Sequence, residues 1–496
     1  MSSDQPMNPQ SVVRVVGPFV DGVLSGSECD STVDVVNPST GEHLLKIPAG
    51  CKGDVDQAVA AARRAFNDGG WSEAPPSLRK KTLDRFADLV ASESALLDAL
   101  DAEEMGKPIS TVAFSAAEAA ALIRFNAESV DKIMGEVYGS DKHSLVVQRR
   151  VPRGVVAAVV PWNFPTFNAV LKVAPALAAG NCVVLKPSEL SSRSAVRLGQ
   201  LALQAGLPKG VLNVVPGLGE TVGQALGLHN DVDMLAFTGS TEVGKLMLRY
   251  AAESNMKVIQ AECGGKCPQI VFADGVDLDQ ASEAIAEFLL INQGQICSVG
   301  SRLLVHRSIE EAMVEKITNR VTQIAMGDAQ DPNTTYGPIA SAKQCERVMN
   351  YIGSAQADGV QLHVGGRQVK KESGGYFVEP TVFRNVSPTA KIAQEEIFGP
   401  VLSVIPFDDE SQAISIANGT MYGLAAYVWT ADLSRGMRMA KAIRSMTFIN
   451  AVPPHGEGAG HAASWEPGGQ SGLGAEGGLA GVATYMRRHL VWFNHA

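Results

Sequence analysis

Three residue types in this chain could carry a nucleophile, a base and an oxyanion donor. Cys297 stands in Gln293-Gly294-Gln295-Ile296-Cys297-Ser298, a run of small and polar residues. The apolar Phe288-Leu289-Leu290-Ile291 precedes it and the strand-like Arg302-Leu303-Leu304-Val305-His306 follows. A thiol on such a loop can meet a ligand, and its thiolate is a strong nucleophile. A lone Cys is more often an inert packing residue. Glu262 lies between Ala261 and Cys263, ahead of Gly264-Gly265. A carboxyl in that apolar setting can have a raised pKa and act as a general base. Asn163, in Pro161-Trp162-Asn163-Phe164-Pro165, is an amide made rigid by two prolines and two aromatics. It can donate to an oxyanion, or serve simply as a hydrogen-bonded turn.

Three further stretches suit a dinucleotide. Phe237-Thr238-Gly239-Ser240-Thr241-Glu242-Val243-Gly244 follows a strand and opens a helix, whose free N–H groups and dipole favour a phosphate. It is not GxGxxG, and a plain strand-to-helix turn explains it equally well. Lys186-Pro187-Ser188-Glu189 also ends a strand, where Lys186 and Glu189 can bond ribose hydroxyls. A carboxylate there would repel a 2′-phosphate and favour NAD over NADP; a solvated turn with a helix cap is the plainer alternative. Glu395-Glu396-Ile397-Phe398-Gly399-Pro400-Val401 sets two acids before an aromatic and a Gly-Pro turn, which in isolation reads as a charged loop.

The elements that must position these residues alternate. Residues 1–50 read as an irregular lead-in. A helix starts near Asp54 and runs through Asn67; others are expected over Ser77 to Glu104 and Thr111 to Ile133. Ser144 to Val151 reads as an exposed strand. Strands at Val155–Val160, Cys182–Leu185, Val211–Val215, Met234–Phe237 and Val258–Ala261 then alternate with helices. That order implies a doubly wound parallel sheet with ligands at the carboxyl ends of its strands. The pattern restarts after Gly265 as a second α/β unit, with strands at Gln269–Phe272, Leu303–Val305 and Val401–Ile405. His455 to Gly481, rich in Gly, reads as a long functional loop, and His489–Trp492 as a final strand.

Composition narrows the classes. The 496 residues suggest roughly three domain-sized units. Hydrophobic residues at 45% and charged residues at 19% fit a globular enzyme. A net charge of −10 makes nucleic acid an unsuitable partner. The apolar stretch Gly154–Leu185 is interrupted by Pro161, Pro165, Lys172, Pro175 and Asn181, so no free run reaches the ~20 residues of a membrane span. Met1–Gln10 is polar and lacks an export signal, which points to the cytoplasm. The seven Cys are odd in number and scattered, so free thiols and no structural metal are expected.

Taken together, Pro161–Pro165, Lys186–Glu189, Phe237–Gly244, Glu262-Cys263-Gly264-Gly265-Lys266, Gly294–Cys297 and Glu395–Pro400 resemble the aldehyde dehydrogenase superfamily in order and spacing, from about residue 30 to the C-terminus. The resemblance implies Cys297 as nucleophile, Glu262 as general base and Asn163 as oxyanion donor. It implies NAD as cofactor, held by Lys186, Glu189, Trp162, Gly239, Ser240, Gly244, Glu396 and Phe398. It implies an NAD-binding domain (1–133 and 152–264), a catalytic domain (265–465) and an oligomerisation arm (134–151 and 480–496) of a homodimer or homotetramer. The substrate tunnel would be lined by Phe164, Phe167, Asn168, Leu171 and Trp465. Relatives that oxidise succinic semialdehyde carry Arg where Leu171 stands. Glu118 is the only acid between Gly106-Lys107-Pro108 and Arg124. An uncharged aromatic or medium-chain aldehyde is therefore expected, ahead of amino- or betaine-type aldehydes. A CoA-acylating enzyme, which lacks the base, and a crystallin-like structural protein rank lower. The family's Pro-Phe-Gly-Gly-x-Lys-x-Ser-Gly-x-Gly-Arg-Glu pattern is altered here to Glu466-Pro467-Gly468-Gly469-Gln470-Ser471-Gly472-Leu473-Gly474-Ala475-Glu476, beside the segment Val452 to Ser464. The departure falls on the substrate side.

Overall fold

Residues 16–452 and 459–495 are described by a computed structural model. Its first sheet is built on five parallel strands. In spatial order they are Leu212–Val214, Cys182–Lys186, Val155–Val159, Met234–Thr238 and Val258–Glu262. The chain therefore starts in the middle, winds one way, returns and winds the other way. Its direction of winding reverses between Val155–Val159 and Met234–Thr238, and ligands of such sheets bind at the carboxyl ends beside that reversal. Both central runs, Val155-Val156-Ala157-Ala158-Val159 and Cys182-Val183-Val184-Leu185-Lys186, are buried throughout. Continuous apolar runs are what a parallel strand covered on both faces requires. Helices Lys52–Asn67, Pro165–Ala178, Arg193–Ala205 and Thr241–Glu253 provide the cover.

The second sheet has seven strands: Gln361–Val364, Thr381–Arg384, Val401–Phe407, Arg302–His306, Pro268–Val271, Ala425–Trp429 and Met446–Ile449. All neighbours are parallel except the first pair. A third, antiparallel sheet joins Met486–Asn494, Ser144–Pro152 and Glu136–Val137. The molecule is thus α/β, with two parallel sheets and a small β arm, as expected.

Several expectations need correction. The lead-in is not irregular: Phe19–Val20 and Val23–Leu24 extend the first sheet, and Thr32–Val36 pairs with His43–Pro48. Their short, half-exposed strands leave little periodic signal. The long helix from Ser77 is two helices, Pro76–Ser92 and Ser94–Met105. Glu93 leaves the helical conformation between them, and its carboxylate is bonded by Arg197 at 2.7 Å. The Ala-rich helix begins only at Ala116, capped by Ser115, and ends at Ser129. The Gly-rich stretch is not one long loop. Gly472–Leu473 adds an antiparallel strand to the edge of the first sheet, against Ala261 and Glu262. Gly468–Gly469 pairs with Tyr422–Gly423, and a helix spans Gly478–Thr484. Backbone pairing, which leaves no side-chain pattern, organises that segment.

The expectation of seven free thiols also fails. Cys29 and Cys51 form a disulfide, with Cα atoms 6.3 Å apart. The other five, Cys182, Cys263, Cys267, Cys297 and Cys345, are free. Asp54 draws the two cystine segments together. Its carboxylate accepts from Cys51 N, Glu28 N and Ser27 Oγ at 2.6–3.0 Å. Spacing alone could not reveal that contact. Part of the segment Val452 to Ser464 and Met1–Gln10 lie outside the described residues.

Candidate active site

The loop that carries Cys297 is shaped by its backbone. After helix Leu278–Leu290, Asn292, Gln293 and Gly294 all take positive φ (49°, 57° and 68°), turning the chain sharply ahead of Cys297. Side-chain amides hold this unusual run. Asn292 Nδ2 donates to Asn163 O at 2.7 Å, and Gln295 Nε2 donates to Asn292 O at 3.0 Å. Asn163 Nδ2 donates to Gln295 O at 3.0 Å, which brings the first sheet's turn onto the Cys297 loop. Asn168, one turn into helix Pro165–Ala178, donates to Asn163 Oδ1 at 3.2 Å. Asn163 is therefore clamped at both ends of its amide, and one of its N–H groups already has a partner. Asn168, expected as tunnel wall, spends its amide orienting Asn163. Burial, then the nearby Glu396, Cys267 and Glu262, push the Cys297 thiol up.

Glu262 is the last residue of strand Val258–Glu262 and is buried. Burial, then the nearby Glu476, push its carboxyl well above the usual range; Lys172 and a hydrogen bond to the Trp465 side chain act the other way. Its Oε1 has no partner among the described residues. Lys172, wholly buried in helix Pro165–Ala178, donates to Glu476 Oε1 at 2.5 Å and Gln260 Oε1 at 2.9 Å. Glu476 is likewise raised by burial. Glu262 thus stands beside a buried group of titratable side chains, Glu476 and Lys172.

A cofactor cradle lies at the winding reversal. Ser240 caps helix Thr241–Glu253, accepting from Val243 N at 3.3 Å. A Cβ at Gly239 would lie 2.5 Å from the Phe237 ring, and one at Gly244 would lie 2.6 Å from Cys263 Sγ. Only bare backbone fits there, as close approach by a phosphate demands. Two strands across the sheet, buried Lys186 donates to Pro187 O at 2.7 Å and lies 3.8 Å from Glu189 Oε2. From the second sheet, Glu396 accepts from Gly265 N at 3.1 Å, and burial raises its carboxyl to about 7. Trp162 and Phe398 meet edge-to-face, with ring centroids 5.3 Å apart. These groups have the charges and close-approach geometry to hold a dinucleotide.

The aromatic wall is tighter than the sequence implies. Phe114 lies 4.3 Å from Phe164 and 5.2 Å from Phe167, ring centre to ring centre. Phe164 is buried, while Phe167 and Leu171 are partly buried. Trp465 is paired through its backbone with Glu476. Phe114 was not anticipated, because it sits in an irregular link at a positive φ of 55°.

The model of the aldehyde dehydrogenase family matches residues 25–491. The chain belongs to that family. An aldehyde dehydrogenase of Escherichia coli strain K12, PuuC, named as NADP/NAD-dependent, is 44% identical over 87% of each chain. An aminoacetaldehyde dehydrogenase of Pseudomonas aeruginosa is 42% identical, covering 89% of this chain and 88% of its own. The crystal structure of an indole-3-acetaldehyde dehydrogenase with NAD+ superposes with a TM-score of 0.94 at 42% identity, over 98% of each chain.

The fold of this aldehyde dehydrogenase brings to the site residues the sequence reading passed over. Lys172 entered it only as an interruption of an apolar stretch, and Glu476 only as the end of an altered motif. A Lys within Val170-Leu171-Lys172-Val173-Ala174 was the available signal, since a buried cation needs a buried partner. Gln344 Nε2 donates to Phe398 O at 2.7 Å and Arg347 to Glu396 O at 2.7 Å, holding the Glu396–Phe398 loop. No sequence signal pointed to either. Among the described residues no helix is long and apolar enough to cross a membrane.

Proposed function

We propose that this aldehyde dehydrogenase oxidises an uncharged apolar aldehyde to its acid with NAD, through a thioester on Cys297. The observation that carries the hydrolytic reading is the buried Glu262 carboxyl at the end of its strand, raised by burial and close enough to Cys297 for its charge to act on the thiol. In this reading the Cys297 S–H bond breaks, its proton passing to solvent water, and the sulfur adds to the carbonyl carbon. The second N–H of the Asn163 amide and the Cys297 backbone N–H receive the developing oxyanion. Bound NAD supplies the acceptor for the hydride. Glu262 then takes a proton from water, the water oxygen attacks the thioester carbon, and the acid leaves as the thiol is restored. Lys186 and Glu189 would hold the adenine-side ribose, Ser240 and the Gly239–Gly244 backbone the pyrophosphate, and Glu396 the nicotinamide ribose. Trp162 and Phe398 would flank it. On this reading residues 1–133 and 152–264 form the cofactor domain and 265–465 the catalytic domain.

The aromatic trio Phe114, Phe164 and Phe167 supports an apolar substrate. Glu118, the one acid in that region, already accepts from Phe114 N at 2.7 Å. Leaving a substrate charge unpaired against such a wall would cost several kcal/mol. A second reading, an amino-aldehyde, is favoured by the aminoacetaldehyde relative. Comparison of kcat/KM for benzaldehyde and hexanal with that for an aminoaldehyde, betaine aldehyde and succinic semialdehyde separates them. A clear advantage for any charged aldehyde rejects the apolar reading. Glu189, ion-paired yet one-third exposed, would repel a 2′-phosphate; a higher kcat/KM with NADP than with NAD would reject the cofactor preference. The arm would join copies into a dimer or tetramer, and the protein would act in the cytoplasm.

A further inference from the structure

We propose that Ser471 is a positioning residue for the nicotinamide half of the cofactor: its hydroxyl fixes the Gly264–Gly265 peptide, and that peptide orients the Glu396 carboxyl. The proposal rests on the reading of Glu396 as holder of the nicotinamide ribose and extends it. Ser471 is wholly buried, and its hydroxyl both accepts and donates. It accepts from Gly423 N at 3.0 Å and donates to Gly264 O at 2.7 Å. The other end of that same peptide unit is the Gly265 N–H, which donates to Glu396 Oε1 at 3.1 Å. A peptide unit is planar, so holding its carbonyl sets the direction of its N–H. A continuous series of hydrogen bonds therefore runs from Gly423 through Ser471 and one peptide plane to Glu396. Within a buried series of this kind each bond polarises the next.

The peptide lies close to both halves of the chemistry. A Cβ at Gly264 would stand 2.2 Å from Glu396 Oε2, and one at Gly265 would stand 2.5 Å from the Cys297 carbonyl oxygen. Two successive glycines give that closeness, but they leave the peptide little side-chain restraint. Ser471 supplies the restraint, and its backbone helps: Ser471 O accepts from Cys263 N at 2.7 Å. The strip that carries Ser471 does not depend on the hydroxyl for its own place. Gly468–Gly469 pairs with Tyr422–Gly423, and Gly472–Leu473 pairs with Ala261 and Glu262. Gln470 Oε1 accepts from Lys245 Nζ at 2.7 Å. With the strip anchored on both sides of Ser471, the work left to the hydroxyl is on the peptide.

The test separates the two halves of the cofactor. Ser471→Ala removes the hydroxyl and keeps the strip. In titration calorimetry NAD should bind roughly tenfold more weakly, the worth of one hydrogen bond. ADP, which lacks the nicotinamide ribose, should bind as it does to the wild type. In single turnovers with an aldehyde that the wild type oxidises, NADH formation should slow. Glu396→Gln should weaken NAD relative to ADP in the same way, and adding Ser471→Ala to it should cost little more, because the two act in one series. Should the Ala variant not fold, Ser471→Cys, which fills nearly the same space with a weaker donor, takes its place in every measurement. Equal weakening of NAD and ADP would make Ser471 a structural residue, and unchanged binding of both would leave it a packing residue; either result overturns the proposal. A full multiplicative loss in the double variant would place its action outside Glu396 and overturn it too. If Glu396→Gln binds NAD as the wild type does, the reading of Glu396 fails. If Glu396→Gln is impaired and Ser471→Ala is not, the role of Ser471 fails alone.

Discussion

Cys297, Glu262 and Asn163 come from three separate stretches, and each is open to a single-residue test. Cys297→Ala should abolish NADH production while NAD binding, followed by fluorescence titration, stays intact. Residual turnover near the wild-type level would remove Cys297 from its role. Glu262→Gln keeps the shape but cannot take a proton, so acid release should slow on the order of 10²–10⁴-fold. The pH dependence follows from the raised carboxyl. Below its folded-state pKa Glu262 is neutral and useless as a base; above it the carboxylate forms. Thioester hydrolysis in the wild type should therefore rise with pH through a value well above the ordinary carboxylate range. The Gln variant should lose that rise, and a persistent rise would assign it to another group.

Helix Pro165–Ala178 serves two masters, since its first turn carries Asn168 under Asn163 and a later turn carries Lys172 to Glu476. Lys172 and Glu476 are both buried, with the ion pair at 2.5 Å. Replacing Lys172 with Met strands a buried carboxyl, a change that costs about 3–5 kcal/mol when nothing else compensates. Thermal melting should show a lowered Tm. Glu476 already sits above its ordinary pKa, so in the variant it should take up a proton as pH falls. The loss of Tm should then be larger at pH 8 than at pH 5. Equal losses at the two values would mean that the pair contributes no charge interaction to the fold.

At the scale of the molecule, the arm is the least self-sufficient part. Val137, Tyr138, Leu490, Trp492 and Phe493 are exposed on one three-stranded sheet, Val137 at 71% and Trp492 at 65%. An apolar surface of that kind marks a protein contact. Light scattering should report a dimer or tetramer, and Trp492→Glu with Leu490→Lys should shift it toward monomer. A monomeric wild type at micromolar concentration would remove the arm from assembly.

Much of this was written along the chain. Continuous apolar runs ending in short polar stretches specify parallel strands and where ligands must lie, because periodicity and turn chemistry are local properties. Six separated stretches were enough to resemble one family and to name Cys297, Glu262 and Asn163. What the chain order could not show were contacts between distant groups. Lys172 and Glu476 are 304 residues apart. The Cys29–Cys51 link depends on the three bonds gathered by Asp54. Gly472–Leu473 joins the first sheet through backbone pairing alone. Trp465, read from sequence as a wall, is bridged through its backbone to Glu476, a pairing that leaves no side-chain pattern. Burial and partner choice are products of packing, and no local pattern encodes them.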